Sequence, residues 1–257
     1  MKGAGLTYQE AGRSDVPILC LHGIGGNAAS FAPQLAALSA EHRVMSIDLP
    51  GYGGSDPIDL SFQALARKIA DFLDAIGVEK AHLCGQSIGG MIALETACRH
   101  PERVASLALI ATTSAFGGRD DSFKEAFVAA RLAPLDQGQT LADLARSFVP
   151  EITGPRADDA MKAEATQTMA AVPEAAYRAI IRCLVTFDRR DHIASLSTPA
   201  CLIAGSDDQN APARTMARMA EKMRAPFHEI QDAGHLVNLE APDETNLILT
   251  EFYRSVS

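Results

Sequence analysis

Between Ala81 and Arg99 a short apolar run, Ala81-His82-Leu83-Cys84, ends in Gly85-Gln86-Ser87-Ile88-Gly89, and sequence rich in Ala, Leu and Met with helical spacing begins at once. This is the pattern of a strand that turns sharply into a helix. The residue at such a corner projects from a strained backbone, and glycines two positions either side let strand and helix approach each other. The spacing alone arises by chance in roughly one chain in ten of this length, so the strand-turn-helix context is what gives Ser87 its weight. As a plain helix cap, Ser87 would leave both glycines unexplained.

The rest of the chain repeats the theme. Val16–Leu21 is a continuous apolar run, as expected of a strand buried on both faces of a parallel sheet, and Arg43–Leu49 reads as a second such strand. Phe62, Leu65, Ile69, Phe72, Leu73 and Ile76 recur at three- and four-residue spacing, which predicts an amphipathic helix over 61–76 with Ser61 as N-cap and Gly77 as its stop. Leu6–Gly12 reads as a short edge strand and Val104–Ala111 as another buried one. Alternating strands and helices predict an α/β fold with a mostly parallel, doubly wound sheet and its site at the carboxyl ends of the strands. From about Ser114 to Arg190 the alternation stops, and helical segments punctuated by Pro134, Gly138, Pro150, Gly154-Pro155 and Pro173 take over. Strands resume at Pro199–Ala204 and Phe227–Ile230, and a last helix spans Pro242–Tyr253. The expected organisation is a core of 1–114 and 191–257 with a helical lid of 115–190 inserted after the sixth strand.

Composition narrows the partners. A net charge of −9 on 257 residues has the wrong sign for nucleic acid or an anionic membrane. The N-terminal residues lack the apolar stretch of a leader, and no run of eighteen apolar residues occurs, so the expectation is a cytoplasmic protein acting on a small molecule, with self-association left open. Five cysteines without metal-like pairing predict buried free thiols, and no metal or organic cofactor is implied. With no Trp and only 5% aromatic residues, a pocket lined mainly by aliphatic and Met side chains is expected.

A serine hydroxyl is a poor nucleophile unless a base takes its proton and a third group holds that base. Asp207 and Asp208 follow one late apolar run, and His235 follows the next. The ends of neighbouring parallel strands converge, so Ser87, one of the aspartates and His235 can meet. Their chain order, Ser, Asp, His, is that of an α/β-hydrolase.

The chain resembles the α/β-hydrolases over nearly its full length. The resemblance rests on His22-Gly23-Ile24-Gly25-Gly26, Asp48-Leu49-Pro50-Gly51-Tyr52-Gly53-Gly54-Ser55, the Ser87 corner, Gly205-Ser206-Asp207-Asp208 with Pro212, and Gly234-His235 followed by Glu240-Ala241-Pro242. It implies Ser87, Asp208 and His235 as the catalytic set, Asp208 being favoured because the acid usually stands three residues after the glycine and four before the proline. It also implies an oxyanion hole from the backbone N–H groups of Ile24 and Ile88. His22 would orient its loop, Asp48 would stabilise a turn, and His42, His82, His100, His192 and His228 would be bystanders. Within the family the chain is similar to 3-oxoadipate enol-lactonase-like hydrolases of aromatic catabolism. That implies a serine hydrolase cleaving an ester, an enol-lactone or a related carbonyl bond through an acyl-enzyme. Carbon–carbon bond hydrolases of ring-cleavage products are similar too. Arg131, Arg146, Arg178 and Arg182 stand in the expected lid; one of them is a candidate to bind a substrate carboxylate, and solvated helix faces explain most of the four.

Two readings of another kind compete. Gly23-Ile24-Gly25-Gly26-Asn27-Ala28 fits a dinucleotide-binding fingerprint, with Asp48 twenty residues beyond Ala28, which would suggest an NAD-dependent oxidoreductase. It would leave Ser87, Asp208 and His235 without a purpose. A non-catalytic ligand receptor on a hydrolase scaffold would not need the complete set.

Overall fold

The fully buried runs read from the sequence do become the centre of a sheet. In the computed structural model, which describes residues 1–117 and 121–256, the strands are β1 (Lys2–Gly3), β2 (Leu6–Ala11), β3 (Ile18–Leu21), β4 (Val44–Ile47), β5 (Ala81–Gln86), β6 (Val104–Ile110), β7 (Ala200–Gly205) and β8 (Phe227–Ile230). They form one sheet in the order β1-β2-β4-β3-β5-β6-β7-β8. Every pairing from β4 to β8 is parallel, whereas β2 runs antiparallel to both β1 and β4. The expected edge position of β2 is corrected by the two residues of β1, which pair outside it.

Helices α1 (Ala32–Leu38), α2 (Phe62–Ala75) and α3 (Ile88–Arg99) connect the first strands. Ser61 caps α2 by accepting the Ala64 N–H at 3.1 Å, and Gly77, at φ +70°, provides the left-handed residue that ends it. Four helices, α4 (Asp121–Asp136), α5 (Leu141–Ile152), α6 (Asp159–Ala170) and α7 (Glu174–Leu184), lie between β6 and β7. Entry and exit of this insertion run side by side: Phe116 N–H donates to Phe187 O and Arg189 N–H to Ser114 O. The exit is tied to α3 by the buried Glu95 carboxylate, which takes both Nε and Nη2 of Arg189 at 2.6 and 2.7 Å.

After β7 comes α8 (Ala213–Met223), then α9 (Val237–Glu240) and α10 (Pro242–Val256). Helix α8 escapes a hydrophobicity reading because its inner face is only Ala213, Met216, Met219 and Ala220 among charged neighbours. Alternation demands it nonetheless, since the parallel pair β7 and β8 needs a crossover.

Winding reverses at β3. The chain leaves β3 for β4 on one side and returns past it to β5 on the other, so the loops after β3 and β5 diverge and leave a crevice. Register brings the strand ends level there, with Leu21 opposite Gly85, Gln86 opposite Ile110, and Gly205 opposite Ile230. No helix among the described residues is long and apolar enough to cross a membrane.

Candidate active site

Ser87 occupies the corner between β5 and α3 at φ 56° and ψ −122°, a conformation costing a non-glycine residue on the order of 1–3 kcal/mol. The surroundings hold it there. Its N–H donates to Ile110 O at 2.9 Å, and its carbonyl accepts the Thr112 hydroxyl at 2.6 Å. The flanking glycines are demanded by close approach: a Cβ on Gly85 would lie 2.3 Å from Gly89 O, and one on Gly89 would lie 2.0 Å from Leu21 O.

His235, in the loop after β8, brings Nε2 to 3.0 Å from Ser87 Oγ and Nδ1 to 2.8 Å from Asp208 Oδ2. The other oxygen of Asp208 accepts the N–H groups of Asn210 and Ala211 at 2.8 and 3.0 Å. Burial alone would raise the Asp208 carboxyl, but His235 beside it and these N–H groups hold it below the usual carboxylate range. Asp207 points out to solvent and takes the Ser206 hydroxyl, so Asp208 is the aspartate that meets His235. Because the Asp208 carboxylate accepts the proton on Nδ1, Nε2 is left to accept from Ser87, which is the tautomer a general base needs.

Ile88 is the first residue of α3, so its N–H has no acceptor within the helix and sits at the positive end of the helix dipole. Ile24, in the loop after β3, lines both cavities with Ser87, and its carbonyl accepts the Tyr52 hydroxyl at 2.9 Å. His22 orients the same loop. Its Nδ1–H donates to Gly23 O at 2.7 Å and its Nε2 accepts the Leu49 N–H at 3.0 Å. Complete burial lowers its pKa to about 4, against smaller opposing effects of Gly23 and Asp48, and so keeps it neutral. Asp48 accepts the Ala28 N–H at 2.8 Å and the Thr7 hydroxyl at 2.7 Å. With both oxygens engaged in fastening this loop, Asp48 is not free for the ribose that the dinucleotide reading requires.

Two cavities, of about 120 and 490 Å³, meet at Ser87 and His235, where Phe148 and Met169 of the inserted helices close over them. The smaller is lined by His22, Phe31, Met161, Leu236 and Leu239 and includes the Glu164 carboxylate. The larger holds Phe116, Phe123, Phe127, Tyr177 and Arg131. Aliphatic and Met side chains, among them Ile24, Met91, Met161, Met169, Ile181 and Leu184, make up most of the apolar lining, as expected, while aromatic residues gather in the larger cavity.

Of the four candidate arginines, Arg131 lines the larger of these two cavities and the other three line neither. Its guanidinium stacks over Phe148 at 4.1 Å and Phe127 at 5.3 Å from the ring centres. Arg146 pairs with Asp143, Arg178 with Asp136 and Glu174, and Arg182 reaches back to the Arg178 carbonyl. These three line neither cavity and stand on helix faces, as expected for most of the four. None of the five bystander histidines lines either cavity. Among the described residues no group of three or more His, Cys, Asp or Glu side chains could hold a metal ion, and all five cysteines are free thiols.

Several residues of the site escaped the sequence reading. Tyr52 stands inside the quoted Pro50-Gly51-Tyr52-Gly53 segment, which is the available signal. Gln86, next to Ser87, donates its amide to His235 O at 2.9 Å. Phe148 and Met169 carry no local signal, because only the tertiary arrangement brings them over Ser87.

Comparison with known proteins identifies the family of this fold. The α/β hydrolase fold family matches residues 16–242. The chain is 31% identical to 3-oxoadipate enol-lactonase 1 of Acinetobacter baylyi, over 99% of this chain and 95% of that one. It is also 31% identical to the provisionally named carbamate hydrolase RutD of Azorhizobium caulinodans, over 95% of this chain and 94% of that one. Among solved structures, a thermophilic esterase from Thermogutta terrifontis, with malate bound, superposes with a TM-score of 0.88 at 26% identity, covering 98% of this chain and 93% of that one.

Proposed function

The chain belongs to the α/β-hydrolase fold family and is a hydrolase, and from that premise we propose a serine hydrolase that cleaves an ester or lactone of a small carbonyl compound through an acyl-enzyme on Ser87. The observation that carries this reading is the relay of 3.0 and 2.8 Å from Ser87 through His235 to Asp208, at the junction of two cavities.

In this mechanism Ser87 Oγ attacks the substrate carbonyl while His235 Nε2 takes its proton. The tetrahedral oxyanion is received by the Ile24 and Ile88 N–H groups, and Asp208 stabilises the imidazolium. His235 then gives the proton to the departing oxygen, which in a lactone stays tethered to the acyl group. Water, deprotonated by the same nitrogen, attacks the acyl-enzyme and releases the acid. Residues 115–190 act as a lid on the core of 1–114 and 191–257, excluding bulk water and shaping the substrate. The protein works in the cytoplasm on a small molecule, with no nucleic acid or membrane partner.

Arg131 favours an anionic substrate. Ring stacking covers the faces of its guanidinium and leaves the in-plane N–H fork to take a carboxylate. An enol-lactone bearing a carboxylate fits this cavity better than a neutral carbamate.

The test is a panel of activated esters, enol-lactones, carbamates and vinylogous diketones assayed with wild type and Ser87→Ala. A burst of leaving group from an activated ester, and ring opening of a lactone, both abolished in Ser87→Ala, are expected. Turnover that survives Ser87→Ala refutes the acyl-enzyme, and saturable binding without any burst makes the protein a receptor. Hydrolysis of the diketones alone would turn the reading to carbon–carbon bond cleavage.

A further inference from the structure

Glu240 lies four residues C-terminal to Leu236, is 7% exposed, and touches neither cavity. Its carboxylate is nonetheless fully used. Oε2 accepts the N–H groups of Gly234 and Gly154 at 2.8 and 2.7 Å, and Oε1 accepts the Leu236 N–H at 2.9 Å. Gly234 and Leu236 are the two residues that flank His235. Gly154 belongs to the turn between α5 and α6, in the inserted helices. With N–H donors on both oxygens, the site holds a carboxylate rather than a carboxylic acid.

The same turn grips the histidine loop in other ways. His235 N–H donates to Ile152 O at 2.7 Å, and Arg156 N–H donates to Asp232 O at 3.0 Å. The backbones pack so closely that a Cβ on Gly154 would lie 2.6 Å from Asp232 O and 2.7 Å from Gly234 N. The turn and the loop thus form one unit with Glu240 at its centre.

We propose that Glu240 is a positioning residue that locks the catalytic histidine's loop to the lid, and that its charge stabilises the imidazolium formed during the reaction. The proposal rests on the serine-hydrolase reading for its link to catalysis. The charged groups around His235 are few. Asp208 faces Nδ1 from the loop after β7, Glu240 stands behind the backbone from α9, Glu164 lines the smaller cavity from α6, and Arg131 lines the larger one from α4. Arg156, in the lid turn, is paired with Glu244 of α10, and His22 is neutral. Glu240 is thus the carboxylate bonded directly to the segment that carries the imidazole. Burial pushes its carboxyl up, with the N–H bonds and His235 opposing.

In Glu240→Gln either orientation of the amide sets an NH₂ against a backbone N–H, so the clamp loses a bond and its charge together. The experiment follows the His235 ring by NMR titration in wild type, Glu240→Gln and Gly154→Ala, and measures kcat and KM on an activated ester. Thermal unfolding checks the fold. For Glu240→Gln the titration midpoint should fall by roughly half a pH unit or more. Its kcat should fall on the order of tenfold to a hundredfold with KM within about threefold. Gly154→Ala keeps the charge and disturbs the contact, so kcat should fall while the midpoint stays.

A folded Glu240→Gln protein with an unmoved midpoint and kcat within about twofold overturns the proposal. If Glu240→Gln does not fold, an unchanged kcat in Gly154→Ala overturns the coupling. The NMR midpoint is independent of turnover, so a protein that hydrolyses no ester fails the serine-hydrolase reading without deciding this one.

Discussion

Replacing Arg131 by Met is the sharpest probe of substrate choice. Methionine keeps an unbranched apolar stem against Phe127 and Phe148 and removes only the cation. A hydrogen bond between a guanidinium and a carboxylate contributes about 1.5–3 kcal/mol, and each 1.4 kcal/mol is tenfold in affinity. Arg131 is only partly buried, so solvent screening places the expected loss near the lower end. About tenfold in KM is therefore expected for an anionic substrate. The assay compares two esters of one leaving group, the hemisuccinate and the neutral butyrate. Arg131→Met should raise KM about tenfold for the first and leave it within about twofold for the second, with kcat little changed for either. Raising the salt concentration should shrink the wild-type preference in parallel. Equal effects on both esters would mean that Arg131 only supports the aromatic stack, and no effect on either would remove it from the site.

Three further outcomes follow from the geometry. Asp208→Asn should lower kcat by about four orders of magnitude while the fold is retained, since an amide favours the wrong imidazole tautomer; single-turnover rates on an activated ester check it. Tyr52→Phe loses the hydroxyl that holds the Ile24 carbonyl, an interaction of about 1 kcal/mol, so kcat should fall about fivefold with KM unchanged. For His22 the folded pKa of about 4 lies below the ordinary 6.5, so the unfolded chain binds the extra proton between these values. Its contribution to stability is fully present above pH 6.5 and is lost as pH falls towards 4, about 2 kcal/mol of it between pH 7 and pH 5. Urea unfolding of wild type and His22→Gln at both pH values measures this, and an equal pH dependence in the two would contradict it.

Much of this protein is legible along the chain, because the signals involved are local. Parallel strands buried on both faces are mostly apolar, so Ile18–Leu21 and Val44–Ile47, the latter broken only by Ser46, announce themselves. A corner that brings strand and helix into contact tolerates no Cβ at Gly85 or Gly89, so the place of Ser87 is written in its neighbours. Helix α8 was hidden because a helix needs only a narrow apolar face when the sheet covers it. Which of the four lid arginines meets a cavity is not legible, because a cation on an amphipathic helix looks the same whether it faces a cavity or water.

Contacts between distant segments settled what remained. Side-chain direction distinguishes Asp208, turned in to His235, from Asp207, turned out to solvent. Arg131 joins the cavity because Phe148, from another helix, stacks on it. Glu240 was visible as part of a motif, but it acquires a role only when Gly154, 86 residues away, comes within 2.7 Å. Strand, helix and corner depend on residues a few positions apart and can be read from the chain. Which side chains share a cavity or a buried hydrogen bond depends on how those elements pack, and no local pattern encodes that.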